Sequence, residues 1–196
     1  MLAVTKTFGL EAVLAARDAG IRAIGENYAQ EVVAKLGAAR AHGALGVDVH
    51  FIGQLQTNKV RTLVGLVDVI ESVDRASLVD ELAKRMPGAR ILVQVDTSSE
   101  RGKGGCPIED VPALVARAAE RGLDVTGLMT VGPTEGGAEA ARPGFRAVRA
   151  LVDRLGLEVC SMGMSADLDV AVAEGATEVR IGSALFGVRS VGGDVG

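Results

Sequence analysis

The chain alternates between two kinds of hydrophobic pattern. Short runs rich in β-type residues, such as "LAVTK" at the start and "RILVQVD" near the middle, predict strands. Between them lie longer segments with apolar residues at helical spacing, among them "SLVDELAKRM" and "GFRAVRALVDRLG". Eight strand-like runs alternate with helical segments along the whole chain. This alternation predicts an α/β fold built from repeated βα units.

Two architectures accommodate eight such units: a doubly wound open sheet and a closed (β/α)8 barrel of the TIM type. No G-x-G-x-x-G follows the first strand, which weakens the case for a dinucleotide-binding open sheet. The regular units favour the barrel. We therefore predict a single barrel domain over residues 1–188 and a flexible, glycine-rich tail at 189–196. Because the sequence starts directly in a strand, we also expect a covering helix upstream of Met1 in the full-length protein.

Residues at the ends of the helical segments predict where the helices are capped. Glycines that follow helical segments are expected to be left-handed C-caps; they are Gly20, Gly122, Gly156 and Gly175. Asp74 and Ser165 precede helical segments and are predicted N-caps.

Charge and cysteine content narrow the functional class. The net charge of -4 argues against a general nucleic-acid binder, because such proteins need a basic face toward the phosphates. No apolar run is long enough to cross a membrane and no secretory leader is visible. We therefore expect a cytoplasmic protein that contacts neither nucleic acid nor membrane. Cys106 and Cys160 match neither a disulfide framework nor a zinc spacing, so we expect two small buried thiols and no metal.

Two loops at the predicted active face suggest a phosphate site. The active face of such a barrel lies at the C-terminal ends of the strands. There, "SMGMS" follows strand 7 and "RIGS" follows strand 8, which is the common phosphate position. Gly182 and Ser183 begin a short helix whose first N–H groups bind anions. For Gly-Ser taken alone, an ordinary turn is the alternative.

Lys6 supplies a second functional group at the same face. It follows Leu2 and Val4 on one side of the first strand, so we expect it at the barrel rim, pointing inward. It is either a solvated strand-end lysine or a Schiff-base lysine activated by burial and a nearby cation. A lysine imine together with a phosphate site matches pyridoxal 5'-phosphate. Arg180 would then face the pyridine nitrogen and keep it unprotonated, or make an interior ion pair.

The sequence resembles the pyridoxal phosphate homeostasis proteins, of the YggS/PROSC type. The stretches that carry the resemblance run in order through the chain: "AVTKT", "GENYAQE", "HFIGQLQTNK", "SVDR", "GLMTVGP", "FRAV" and "SMGMSADLDVAVAEGATEVRIGSALFG". The resemblance implies a barrel like the N-terminal domain of alanine racemase. It also implies a protein that buffers or delivers the cofactor, has no established turnover and affects amino-acid and keto-acid balance.

The resemblance also implies a set of cofactor-binding residues. Lys6 would hold pyridoxal phosphate as an internal aldimine, and Arg180 would face the ring nitrogen. The other implied residues lie near the cofactor or around its phosphate; they are Asn27, Ser161, Met162, Gly163, Gly182 and Ser183. Ser183 stands where this family often has Thr, a change that keeps the hydroxyl. Family members usually carry an N-terminal helix before the lysine strand, which this sequence lacks.

Two enzymes are the alternatives to a binding protein. An amino-acid racemase needs a base on each face of the substrate carbon. In alanine racemase, as the family pattern implies, the second base is a tyrosine from an added domain, for which 196 residues leave no room. A phosphosugar isomerase barrel would show no visible absorbance. We expect a monomer without catalytic turnover, whose partners are pyridoxal phosphate and apo forms of pyridoxal-phosphate enzymes.

The remaining polar residues receive structural interpretations. His50 is expected to be a hydrogen-bonded structural histidine, and His42 a helix C-cap residue. Glu26 is expected to anchor a helix start or to pair with a basic residue. Tyr28 is expected to pack beneath the site. Lys103 lies in the glycine-rich loop "SSERGKGG", and our weaker hypothesis gives it a transient aldehyde contact when the cofactor is handed over.

Overall fold

The strands form one parallel sheet that curves into a barrel, with the helices outside. The structure is a computed structural model that describes residues 1–41, 45–98, 100 and 102–187. The strands are β1 (Leu2–Val4), β2 (Ala23–Glu26), β3 (Asp48–Phe51), β4 (Val69–Val73), β5 (Arg90–Asp96), β6 (Cys106–Pro107), β7 (Asp124–Thr130), β8 (Val159–Ser161) and β9 (Arg180–Ile181). The helices are α1 (Leu10–Asp18), α2 (Ala29–Ala41), α3 (Val60–Leu63), α4 (Ala76–Arg85), α5 (Val111–Glu120), α6 (Gly137–Ala140), α7 (Arg142–Leu155), α8 (Leu168–Ala173) and α9 (Ser183–Phe186).

The strand order closes the barrel. Going round it, the strands follow the order β8-β7-β5-β4-β3-β2-β1-β9, with every pairing parallel. The circle closes between β8 and β9, where Ser161 forms a parallel bridge with Glu178. The Arg180 N–H also donates to the Gly163 carbonyl there, at 2.9 Å. The predicted (β/α)8 barrel is confirmed; β6, which pairs with β5 beside this path, is a two-residue strand that we did not predict.

Most of the apolar core lies between the strands and the surrounding helices. Alternate strand residues, such as Ile24 and Val49, face outward and pack against helical side chains, such as Leu36 and Phe145. All four are fully buried. Burial of a side chain of this size contributes about 1.5–3 kcal/mol, so this outer layer is the main source of stability.

The barrel interior holds a second, smaller apolar cluster and several buried polar groups. Val69, Leu92 and Met129 form the apolar cluster. Other buried polar groups lie between the strands and the helices. Inside and outside the barrel together, the buried polar residues are Thr5, Glu26, His50, Glu71, Ser72, Gln94, Thr130, Ser161, Asp167 and Arg180. A buried polar group is costly without a hydrogen-bond partner, so the contacts of these residues matter for the stability of the fold.

The predicted helix ends are partly confirmed. The four glycines named as C-caps all have a positive φ, between 65° and 85°. The N-cap predictions were wrong: α4 is preceded directly by Arg75 and α8 by Asp167. The Asp74 carboxylate instead accepts a hydrogen bond from Arg75 at 2.6 Å, and Ser165 lies in the wall of a cavity.

Among the described residues, no helix is long and apolar enough to cross a membrane. The predicted tail at 189–196 and the predicted cap residue His42 lie outside the described residues.

Candidate cofactor-binding site

A cavity of about 720 Å³ opens at the C-terminal ends of the strands. Loops after β1, β2, β3, β7, β8 and β9 contribute to its wall. The lining residues are Val4, Lys6, Phe8, Asn27, Ile52, Met129, Val131, Met164, Ser165, Ala166, Arg180, Gly182, Ser183 and Gly187. The structure therefore brings together five of the eight residues in the predicted site: Lys6, Asn27, Arg180, Gly182 and Ser183.

The residue before Lys6 is held by a buried polar network. Thr5 is fully buried, and its hydroxyl donates to Glu26 Oε1 at 2.5 Å. Lys35 Nζ donates both to the same carboxylate oxygen, at 2.7 Å, and to the Thr5 carbonyl, at 2.8 Å. The expectation that Glu26 pairs with a basic residue is confirmed. We call this group of Thr5, Glu26 and Lys35 the lysine-strand clamp, because it fixes the backbone from which Lys6 projects.

The residue after Lys6 is held as well. Thr7 has a φ of 66°, a left-handed conformation that is rare for a β-branched residue and costs roughly 1–3 kcal/mol. Its N–H donates to Glu31 Oε2 of α2 at 2.8 Å, which supports this conformation. Just beyond, the ring of Phe8 lies 5.3 Å from that of Phe186 in α9. The chain thus turns sharply at Lys6 and packs against the helix that begins at Gly182 and Ser183.

Arg180 lies in the cavity wall and is anchored inside the barrel. Its side chain donates from Nη1 to the Ser161 hydroxyl at 2.8 Å and from Nη2 to the Thr130 carbonyl at 2.6 Å. Burial lowers the pKa of Arg180, and the charges of Glu71 and Glu178 oppose that change. Arginine remains protonated near neutral pH, so this wall of the cavity carries a fixed positive charge.

An acidic cluster with one histidine lies behind Arg180. Glu71 Oε2 accepts from the Ser161 hydroxyl at 2.7 Å, and Glu71 Oε1 lies 2.6 Å from His50 Nδ1. Glu178 Oε2 lies 3.9 Å from the same ring nitrogen. The expectation that His50 is hydrogen-bonded is confirmed. One side-chain nitrogen or oxygen from each of His50, Glu71 and Glu178 lies within 4.8 Å of the other two, a spacing at which they could bind a metal ion. Both Glu71 oxygens, however, already have hydrogen-bond partners.

The pKa values within this cluster move in different directions. Burial raises the pKa of Glu71, but the hydrogen bond to His50 and the charge of Arg180 bring it below its usual value. For His50, burial lowers the pKa, whereas the hydrogen bond to Glu71 and the nearby carboxylates raise it overall. Burial and the charge of Glu71 raise the pKa of Glu178 to about 7. These shifts favour a proton on His50 or Glu178 over one on Glu71.

Three residues of the predicted site lie outside the cavity wall. Ser161 and Met162 are fully buried, and the Ser161 hydroxyl points to Glu71 and Arg180. Gly163 has a φ of 91°, and a Cβ there would lie 2.4 Å from the Ala171 Cβ, so only glycine fits this turn. The wall is formed instead by the next three residues, 164–166. They belong to the same quoted stretch, but the sequence did not show that β8 ends at Ser161.

The loop after β2 brings one predicted site residue to the cavity and corrects the expectation for its neighbour. Asn27 lines the cavity, and its carbonyl oxygen would lie only 2.0 Å from a Cβ at Gly53, so the two loops touch through their backbones. Tyr28 was expected to pack beneath the site, and this was wrong. Its side chain is 48% exposed and does not line the cavity.

Lys103 connects two loops beside the cavity. Its ammonium donates to the Gly132 carbonyl at 2.7 Å and pairs with Glu100 at 2.9 Å. Glu100 also accepts from the Thr134 N–H and hydroxyl, and these contacts with Lys103 and Thr134 lower the pKa of Glu100 to about 2. The described contacts of Lys103 are therefore structural, and the hypothesis of a handover role stays untested.

Comparison with known proteins assigns the family. A sequence profile of the family described as "Alanine racemase, N-terminal domain" matches residues 1–190. A protein of Pseudomonas aeruginosa named Pyridoxal phosphate homeostasis protein is 40% identical, over 98% of this chain and 85% of its own length. The chain belongs to the pyridoxal phosphate homeostasis protein family. The member from Aquifex aeolicus is likewise 40% identical, over 96% of this chain and 86% of its own.

A solved structure that is similar to this chain in sequence has the same fold. PipY of Synechococcus elongatus, whose structure was solved with PLP bound, superposes with a TM-score of 0.85 at 32% identity. The match covers 95% of this chain and 92% of PipY. The family and the alanine racemase-like barrel predicted from the sequence are therefore confirmed.

Proposed function

We propose that this chain binds pyridoxal 5'-phosphate in the cavity at Lys6 and acts in the homeostasis of that cofactor, buffering or delivering it. One observation carries the proposal: Lys6, Arg180 and the start of α9 at Gly182 and Ser183 share one cavity. A primary amine, a fixed cation and a helix start are the groups expected for an aldehyde, a ring nitrogen and a phosphate. The PLP-bound structure of PipY supports the assignment.

The residues present fit the cofactor. The cavity of about 720 Å³ lies within the usual range for small-molecule sites, and most of its wall is apolar, as an aromatic ring requires. Ser165, Gly182 and Ser183 would hold the phosphate, and Arg180 would face the ring nitrogen. When bound, the cofactor supplies an electrophilic aldehyde and a ring that withdraws electrons. Lys6 supplies the amine that binds the aldehyde, on a backbone held at both neighbouring residues.

The cavity wall favours a binding protein over a racemase. Among the described lining residues, Lys6 is the one side chain able to exchange a proton as a general base, because Arg180 stays protonated. Racemisation requires a base on each face of the substrate carbon. The sole tyrosine, Tyr28, is half exposed and outside the wall. We therefore propose that the chain has no catalytic turnover of its own.

Chemical trapping tests the proposal. The purified chain is mixed with pyridoxal phosphate, its visible absorbance is recorded, and the mixture is reduced with borohydride and digested for mass mapping. We expect a visible band that disappears on reduction and one cofactor label on Lys6. Lys6→Ala should lose both, while the exposed control Lys84→Ala should retain both. Absence of a visible band, or a label on another lysine in the intact chain, would refute the proposal.

A second measurement separates the two functional classes. The loaded chain is incubated with alanine or serine, and the optical purity of the amino acid is followed. We expect no racemisation above that caused by free pyridoxal phosphate. Racemisation that is lost in Lys6→Ala would make the chain an enzyme and overturn this part of the proposal.

We further propose that the chain is a cytoplasmic monomer whose partners are apo forms of pyridoxal-phosphate enzymes. The closed barrel supports a monomer because closure removes the sheet edges through which strands of two chains pair. The two buried free thiols support a reducing compartment. Measurement of the molar mass in solution tests the first point. Transfer of cofactor to an apo-enzyme, faster than from the same concentration of free cofactor, tests the second.

A further inference from the structure

A chain of hydrogen bonds runs from the cavity wall into the barrel interior. It begins at the Arg180 guanidinium, passes through the Ser161 hydroxyl to Glu71, and ends at His50. We propose that Ser161 and Glu71 are positioning residues for Arg180: they hold its guanidinium at the place where it faces the cofactor ring. This inference rests on the proposed function, and it gives Ser161 a role different from the phosphate contact expected from the sequence.

The direction of each hydrogen bond supports the inference. The guanidinium can only donate, so the Ser161 oxygen accepts from it at 2.8 Å. The serine proton is then directed to Glu71 Oε2, which accepts it at 2.7 Å. An ionised carboxylate has no proton of its own to give, and the lowered pKa of Glu71 keeps it ionised. In these two hydrogen bonds the serine hydroxyl accepts from the arginine and donates to Glu71.

The arrangement also explains why Glu71 is buried. It is 0% exposed and lies in β4, which is separated from β9 by three strands, β5, β7 and β8. A buried carboxylate is costly unless it is paired with a positive charge. For Glu71 that charge is Arg180, which is connected to it through the Ser161 hydroxyl. A long arginine side chain loses its rotational freedom only when its fork is held at defined atoms. Here the Ser161 hydroxyl oxygen and the Thr130 carbonyl oxygen hold the two nitrogens of the fork.

Two buried serines, Ser161 and Ser72, provide a matched pair of variants. Ser161→Ala removes the hydroxyl that joins Arg180 to Glu71. Ser72→Ala makes the same change at a buried serine whose hydroxyl has no hydrogen-bond partner among the described residues, and it serves as the control. Glu71→Gln keeps the shape of the side chain but removes its charge. For each variant we would measure the dissociation constant for pyridoxal phosphate, the position of the visible band and the denaturation midpoint of the cofactor-free chain.

We expect Ser161→Ala and Glu71→Gln to weaken cofactor binding about ten-fold or more, as loss of a hydrogen bond to a charged group does. Both should also shift the visible band, because the charge facing the ring is no longer held. The borohydride label should stay on Lys6, and Ser72→Ala should match the wild type. A purely structural role would lower the denaturation midpoint without moving the band.

The outcomes separate this inference from the proposed function. If the wild type binds no pyridoxal phosphate, both are wrong. If the wild type binds and Ser161→Ala has an unchanged dissociation constant and band, the inference alone is overturned. Should Glu71→Gln fail to fold, the comparison of Ser161→Ala with Ser72→Ala still decides it. An equal effect of both serine variants also contradicts the inference, because only one of the hydroxyls contacts Arg180.

Discussion

The buried ion pair of the lysine-strand clamp provides the sharpest test of the fold. Lys35→Met keeps most of the apolar length of the side chain but removes its charge and two hydrogen bonds, to Glu26 and to the Thr5 carbonyl. Glu26 is 0% exposed and the Lys35 side chain 7% exposed, so water cannot replace the lost partner without opening the structure. The variant leaves Glu26 as a buried carboxylate with only the Thr5 hydroxyl as a described partner.

The expected cost follows from that burial. Removal of one partner of a buried ion pair costs about 3–5 kcal/mol, because the remaining charge stays desolvated. For a chain of this length, each kcal/mol lowers the denaturation midpoint by about 2–4 °C, so Lys35→Met should lose roughly 6–20 °C. The double variant Glu26→Gln with Lys35→Met leaves no buried charge. We expect it to be at least about 2 kcal/mol more stable than the sum of the two single effects predicts.

Urea denaturation followed by circular dichroism measures all four proteins of this cycle at neutral pH. Lys84→Met, at an exposed position of α4, is the control and should change the free energy of unfolding by less than about 0.5 kcal/mol. A loss below about 1 kcal/mol in Lys35→Met, or additive effects in the double variant, would show that the pair is not a buried, coupled unit.

Three further predictions address the turn, the acidic cluster and the thiols. Gly163→Ala should destabilise the chain by several kcal/mol more than Gly20→Ala, because both have a positive φ but only Gly163 would gain a clash; equal melting temperatures would contradict this. The pKa of Glu178 is raised from 4.5 to about 7 in the folded chain. The protonated carboxyl therefore contributes to the free energy of unfolding at low pH, and this contribution is lost as the pH rises from about 4.5 to about 7. The free energy of unfolding of Glu178→Gln should therefore fall less than that of the wild type across that interval. An equal fall in both proteins, measured by urea denaturation at several pH values, would refute the raised pKa of Glu178. Burial raises the pKa of Cys106 and Cys160 to about 11, so a thiol reagent should label the native chain far more slowly than the unfolded chain, and fast labelling would contradict their burial.

Some parts of the site were accessible from sequence because they depend on local order along the chain. The alternation of side chains in β1 places Lys6 on the same side as Val4, and both line the cavity. Gly182 and Ser183 directly follow β9 and begin α9, so a strand end followed by a helix start was sufficient to locate them. The family motifs support the same residues.

Other parts depend on where a strand ends and could not be predicted. The sequence "SMGMS" contains both buried and cavity-lining residues, and the boundary between them is the tight turn at Gly163. That turn requires glycine because Ala171 of α8 packs against it, a contact between segments that meet only in the folded chain. Tyr28 was misplaced for a similar reason: it directly follows Asn27, but at the start of α2 it is half exposed to solvent.

What the sequence alone determined is the barrel, the lysine at its rim and the glycine-rich loops, because hydrophobic periodicity and strand-end position are local properties. The polar interior, by contrast, becomes visible only in the folded chain. Glu71, Ser161 and Arg180 lie on β4, β8 and β9 and are connected by hydrogen bonds. Because these residues are far apart in the chain, no local sequence pattern predicts those bonds. Their pairing arises because barrel closure directs alternate side chains from every strand into one small volume, where each buried charge requires a partner.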